Sequence, residues 1–185
     1  MDNKKRCSWC GTDTLYQNYH DTEWGKPVYD DALLFEFLIL EGFQAGLSWI
    51  TILRRREGFR SAFDRFDHKI IATYTAEKIN QLIIDDRIIK NKLKINAAVT
   101  NAKAFIEVQK EFGSFSKYIW SFTDGKPLIN SPETLADIPA QTPLSVAISK
   151  DLKKKGFKFV GPTIIYAFMQ AVGIVDDHTP DCWVK

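Results

Sequence analysis

Cysteine is scarce in this chain of 185 residues: three, an odd number, so a disulfide framework is not expected to hold the fold together. No apolar signal segment opens the sequence, and with so few thiols this predicts a reducing, cytoplasmic setting. Long hydrophobic runs are missing as well. The longest uncharged stretch, Phe159 to Val175, is interrupted by Gly161, Pro162, Gln170 and Gly173 and falls short of a membrane span, so a buried helix is expected and no membrane partner. Charge of one sign is not in excess: the formal net charge is +2, which removes a whole-molecule field as a sign of nucleic acid. Repeats, low-complexity tracts and sustained strand alternation are also lacking, which leaves helical punctuation as the dominant signal.

That punctuation predicts an all-α protein of one domain, a size that buries most of its apolar surface. Asp30 or Asp31 caps a run from Ala32 to Glu41 that Gly42 is expected to terminate, and Ala45 to Arg56 reads as a second helix ending in three arginines. Thr75 opens a further helix, and Asn91 to Glu111 repeats apolar residues at helical spacing. Four prolines between Asp124 and Pro143 mark an irregular connection, after which Thr142-Pro143 starts a helix that stops at Gly156. Positive residues cluster at Arg54-Arg55-Arg56, Lys90 to Lys94 and Lys153-Lys154-Lys155, each either a solvated face or part of a basic surface.

Four residues with metal-ligand chemistry stand near the two ends: Cys7 and His20, then His178 and Cys182. Two thiolates and two imidazoles suit a tetrahedral zinc ion with no open position, hence a structural metal. The His-x3-Cys step is short, whereas Cys7 and His20 are too far apart to pair locally, and the residues can equally be unrelated. Cys10 completes a C-x-x-C with Cys7 and is an alternative ligand or redox partner, although no βαβ pattern surrounds it.

Chemistry must be sought elsewhere. The segment 152–163 joins two helices through a loop with a glycine near each end, the shape of a helix-hairpin-helix. Its glycines permit a tight turn, and the amides opening the second helix face outward as phosphate donors beside Lys153, Lys154, Lys155 and Lys158. An ordinary packed turn has the same appearance. Trp9, Tyr16, Tyr19, Trp24 and Trp49 form an aromatic group that fits either a core or a pocket sandwiching a nucleobase pulled from its stack. Glu41 ends an almost wholly apolar helix at the terminus where the dipole disfavours a carboxylate, which asks for a reason beyond packing.

Taken in order, Tyr19-His20-Asp21-Thr22-Glu23-Trp24-Gly25, the run from Leu40 to Trp49, Gly156 to Gly161 and Asp177-His178 resemble the 3-methyladenine DNA glycosylase I family, the constitutive bacterial type within the helix-hairpin-helix superfamily. The likeness runs from Cys7 to Cys182. It implies a single glycosylase unit over 1–185, a zinc-tied region built from 7–30 and 174–185, and a hairpin element at 152–163. It implies one structural Zn²⁺ on Cys7, His20, His178 and Cys182. Glu41 matches the carboxylate that bonds the extruded base, Trp49 and Tyr19 its stacking partners, and Tyr16 and Trp24 further pocket aromatics. Gly46 and Leu47 match the wedge into the duplex. The hairpin positions Gly156, Phe157, Lys158, Phe159, Val160, Gly161 and Thr163 match the element that grips DNA. The implied activity is hydrolytic excision of 3-methyladenine from alkylated double-stranded DNA by base flipping, without lyase chemistry, by a monomer in the bacterial cytoplasm that yields free 3-methyladenine and an abasic site.

One position departs from the family pattern, which usually has Asn before Asp-His: here the run is Val175-Asp176-Asp177-His178. Asp176 either restores an anion near the sugar, as in related glycosylases, and so counts as a candidate catalytic group with Glu41, or it bonds local backbone. Two competing functions stand beside the enzyme. One is a non-catalytic module that binds alkylated DNA; the other is a zinc hydrolase, which would need a metal position open to water.

Overall fold

The computed structural model describes residues 4–185. Its helices follow the chain as α1 (Thr14–Thr22), α2 (Asp31–Gln44), α3 (Trp49–Leu53), α4 (Arg56–Ala62), α5 (His68–Ile71), α6 (Ala76–Ile84), α7 (Lys92–Phe112), α8 (Phe115–Trp120), α9 (Pro143–Lys154) and α10 (Pro162–Ala171). Their starts are dictated locally. Asp13, Asp30, Thr75, Asn91 and Thr142 each accept an amide hydrogen bond in the first turn of the helix they open. Thr142 adds Pro143 and a reciprocal bond with Ser145, so α9 begins where the sequence predicts. Gly113 (φ 84°) ends α7 and Gly156 (φ 94°) follows α9, both in the left-handed region that glycine enters without steric cost.

Gly42 does not stop α2, which continues to Gln44; the end is set by Lys94, whose ammonium donates to the carbonyl oxygens of Phe43 (2.8 Å) and Ala45 (2.7 Å). The helix expected over 45–56 is instead a turn followed by α3 and α4, because Gly46 takes φ 82° and breaks the helical path. Nor do the three arginines form one basic face. Arg54 pairs with Asp13, Arg55 donates to the Asp86 carbonyl, and Arg56 is buried against Glu36 (2.5 Å) and Glu23 (2.6 Å).

The long, apolar α2 lies in the middle of the molecule, with residues 34–43 all buried, and packs against α7, α10, α3 and α8. An interlocked set of rings, including Phe35 with Phe105 and Phe43 with Phe59 and Phe63, fills the space between these helices. Burial of such side chains contributes roughly 1.5–3 kcal/mol each. The proline-rich connection contains β1 (Leu128–Ile129), which pairs in parallel with β2 (Val175–Asp176) beyond α10. This short ladder returns the end of the chain to its beginning, where the Trp183 amide donates to the Lys5 carbonyl.

Candidate active site and metal cluster

Glu41 sits on α2 one turn before its end, buried to 3% exposure, and faces a cavity of about 180 Å³. The helix is apolar on nearly every side, so the carboxylate cannot turn to water without unpacking α2. Tyr16 and Tyr19 reach the cavity from α1, Trp49 from the start of α3, and Trp9 and Trp24 from the flanks of α1. Tyr19 and Trp49 lie with ring centroids 5.4 Å apart, and Trp9 packs edge-on against Tyr16 and Trp24, each at 4.9 Å. The five aromatics and Glu41 that the sequence singled out therefore meet at one place.

The cavity is apolar but not electrically silent. Glu41 Oε2, Trp9 Nε1 and Trp49 Nε1 are buried there without hydrogen-bond partners. A buried polar atom left unpaired costs about 1–3 kcal/mol, so one acceptor and two donors around a single cavity mark a place for a ligand rather than for packing. Burial alone pushes the Glu41 carboxyl up to about 8, which favours its protonated form at neutral pH. A space this small suits one planar heterocycle, not a whole nucleoside.

Four lining residues escaped the sequence reading: Gln44, Ile138, Ala167 and Gln170. Ile138 comes from the proline-rich connection and no local pattern marks it. Gln170 carries a signal as the one amide side chain of apolar α10. Its side-chain amide donates to Asp177 Oδ2 (2.7 Å), which also accepts from Tyr166 (2.7 Å), so a buried carboxylate fixes its orientation.

Behind the Trp24 wall lies the cysteine and histidine group. The ligand atoms of Cys7, His20 and Cys182 all fall within 4.8 Å of one another and all three residues are buried. His178 adjoins them, its ring centroid 5.1 Å from that of His20, with Nε2 buried and unpartnered. Both imidazoles are held through Nδ1: His20 on Asp21 (2.8 Å) and His178 on Asp176 (2.7 Å). That arrangement leaves Nε2 of each ring as the candidate ligand atom: His20 Nε2 lies 3.4 Å from Cys182 Sγ and accepts from the Cys7 amide at 3.4 Å, whereas His178 Nε2 has no partner. Burial pushes the Cys7 thiol up to about 11, a condition that a cation on the sulfur would reverse. Cys10 stands apart, its thiol directed at the Cys7 carbonyl (3.2 Å). Trp24 joins the two regions, edge-on to the His178 ring at 4.6 Å. Asp176 accepts from both the backbone amide and the ring of His178.

The remaining predicted positions form two exposed loops. Gly46 and Leu47 occupy the turn after α2, with the Leu47 side chain 40% exposed. In the loop 155–161, Lys158 is exposed, as is Thr163 in the first turn of α10, whereas Phe157 and Val160 are buried and offer only backbone. Gly161 caps α10 without a side-chain bond, so the amides of that first turn keep their donors.

An all-α scaffold here encloses an aromatic cavity with a buried carboxylate and unpaired indole donors, a site with the chemistry to take a planar heterocycle. The methyladenine glycosylase family profile matches residues 9–185. A DNA-3-methyladenine glycosylase of Haemophilus influenzae is 49% identical over 180 residues, 97% of each chain, and DNA-3-methyladenine glycosylase 1 of Escherichia coli K12 is 46% identical over 178 residues, covering 96% of this chain and 95% of the relative. A solved 3-methyladenine DNA glycosylase I in complex with 3-methyladenine superposes with a TM-score of 0.95 at 38% identity, covering 97% of both chains. The chain belongs to the methyladenine glycosylase family.

Proposed function

We propose that the protein removes 3-methyladenine from alkylated DNA by hydrolysing the N-glycosidic bond of a flipped nucleotide, leaving an abasic site and free base. The observation that carries this reading is Glu41, a buried carboxylate with an unpaired oxygen inside an aromatic cavity. A purine methylated at N3 while joined to the sugar is a cation. Aromatic faces and a carboxylate both favour it over neutral adenine, and its positive charge draws Glu41 toward the ionised form that burial disfavours.

Methylation already makes the base a good leaving group, so the chain has little protonation to perform. Tyr19 and Trp49 provide faces for stacking, and Glu41 and the indole donors orient the base. Cleavage sends the bonding electrons to the purine, which leaves neutral, while water adds to the sugar cation and releases one proton to solvent. No lysine lines the cavity among the described residues, in keeping with hydrolysis rather than imine chemistry. Duplex contact falls to two exposed loops: Gly46-Leu47 as the wedge, and the hairpin from Gly156 to Thr163, where Lys153, Lys154 and Lys158 and the first amides of α10 meet phosphate.

A single Zn²⁺ on Cys7, His20, Cys182 and His178 belongs to the same proposal. The buried donor set, the two Asp-anchored imidazoles and the orphaned His178 Nε2 support it. A fully ligated zinc contributes to folding rather than to bond cleavage, and here it would tie 7–30 to 174–185 behind Trp24.

The test is incubation of the protein with methylated duplex DNA and chromatographic identification of released bases. Free 3-methyladenine is expected. Tight capture of the duplex without release would instead make the protein a damage-binding module.

A further inference from the structure

The longest helix, α7, touches neither the base cavity nor the cysteine and histidine group, yet it carries two buried polar side chains that reach across to both exposed loops. Lys94, 7% exposed, spends its ammonium on the carbonyl oxygens of Phe43 and Ala45. Ala45 (φ −46°, ψ 114°) and Gly46 (φ 82°) are the central residues of a type II turn closed by the Leu47 amide donating to the Gln44 carbonyl. In that turn the middle carbonyl points away from its neighbours, and Lys94 holds it. A flexible surface lysine would have no reason to lose its hydration here, and burial lowers its proton affinity.

Two helical turns along α7, roughly 10 Å by helix geometry, Asn101 makes a reciprocal pair with the loop after α9. Its Oδ1 accepts from the Lys158 amide (2.7 Å) and its Nδ2 donates to the Lys158 carbonyl (3.0 Å). The next residue, Phe159, is held at φ 53°, a strained conformation for an aromatic residue that needs such external support. Ser149 fixes the far side of the same loop by donating to the Val160 carbonyl at 2.6 Å. Gly42, Lys94, Asn101 and Phe159 border one small interior gap, so the two anchors and the two loops form a continuous packed unit.

We propose that α7 is a spacer that fixes the Gly46-Leu47 turn and the 155–161 loop at one separation, with Lys94 and Asn101 as positioning residues. Insertion into the base stack and grip on the backbone then engage the same duplex together. This rests on the assignment of both loops to DNA made above. Neither residue contacts substrate; each acts through the loop it holds, and a misplacement of about 1 Å costs on the order of 100-fold in rate when geometry governs the step.

The test compares wild type with Lys94→Met, Asn101→Ala and the double variant, each with unchanged far-UV circular dichroism. Single-turnover release of 3-methyladenine from methylated duplex is measured beside binding of free 3-methyladenine by tryptophan fluorescence. Each single variant is expected to slow excision by about tenfold or more with free-base affinity unchanged, and the double variant to lose little beyond the worse single. Asn101→Asp, which keeps the acceptor and loses the donor, should fall between Asn101→Ala and wild type. Excision at the wild-type rate by both single variants would overturn the spacer, as would a parallel loss of free-base binding, since α7 would then serve only general stability. Failure of the wild type to release any base would instead strike the glycosylase reading itself and the spacer with it.

Discussion

The carboxyl of Glu41 should make the protein less stable as pH rises through the neutral range, and Glu41→Gln should remove that dependence. Burial lifts this group from an ordinary 4.5 to about 8 in the folded state, so between those values the folded protein holds a proton that the unfolded chain has released. A raised folded pKa means that stability is fully present below about 4.5 and is lost as pH increases, at ~1.4 kcal/mol per unit, until the folded group also ionises near 8. By pH 7 the loss is on the order of 3 kcal/mol, a sizeable part of the 5–15 kcal/mol typical of a domain. Glutamine keeps the shape and carries no charge in either state. Urea unfolding of both proteins at pH 5, 6, 7 and 8 gives the assay, and subtracting the two curves cancels every other titrating group. The variant should gain on wild type steadily across that range. A difference that stays constant with pH would refute the claim that burial desolvates Glu41.

Other perturbations read out neighbouring parts of the account. Trp49→Ala should weaken free 3-methyladenine binding by about 1–3 kcal/mol, the usual worth of one stacked base, measured by calorimetry; undiminished affinity would remove Trp49 from the stack. Cys182→Ser should lower bound zinc, read by atomic absorption, together with the melting temperature, and full metal content with unchanged melting would exclude the thiolate as a ligand. Asp176→Asn should weaken zinc affinity by roughly 10- to 100-fold, as loss of a histidine's carboxylate anchor does, while the zinc-loaded fraction excises at the wild-type rate; slower excision by that fraction would return Asp176 to the sugar. Gly25→Ala should destabilise by on the order of 1–3 kcal/mol, because Gly25 has φ 75° and a Cβ there would lie 2.7 Å from the His178 ring; melting unchanged by the substitution would show that the His178 ring yields freely.

Helix starts were readable because their causes are local: Asn91 and Thr142 cap the amides two or three residues ahead of them. Helix ends were harder. Gly42 looks like a stop on its own, but α2 is finished by Lys94, a residue from the opposite side of the core that no local window includes. The arginine run likewise reads as a surface feature until Glu36 and Glu23 draw Arg56 inward. For the site, Glu41 was visible as a charge placed against both helix dipole and apolar pattern, and the aromatics as a cluster, yet only tertiary packing decides between core and cavity. Ile138 carried no signal at all, since it enters the cavity from a connection whose path is set by the β1 and β2 pairing. The cysteine and histidine group shows the same division: residue types marked Cys7, His20, His178 and Cys182 as candidate ligands, whereas the histidine orientations depend on Asp21 and Asp176.

Three tryptophans border the cavity, so its occupancy can be followed directly by fluorescence. The decisive measurement titrates wild type and Glu41→Gln with 3,9-dimethyladeninium, in which a methyl group stands for the sugar and fixes the positive charge, and with neutral 9-methyladenine. Wild type should strongly prefer the cationic purine, and Glu41→Gln should largely lose the preference. Equal responses to the two purines in wild type, or an unchanged preference in the variant, would contradict recognition by a buried carboxylate within an aromatic cavity.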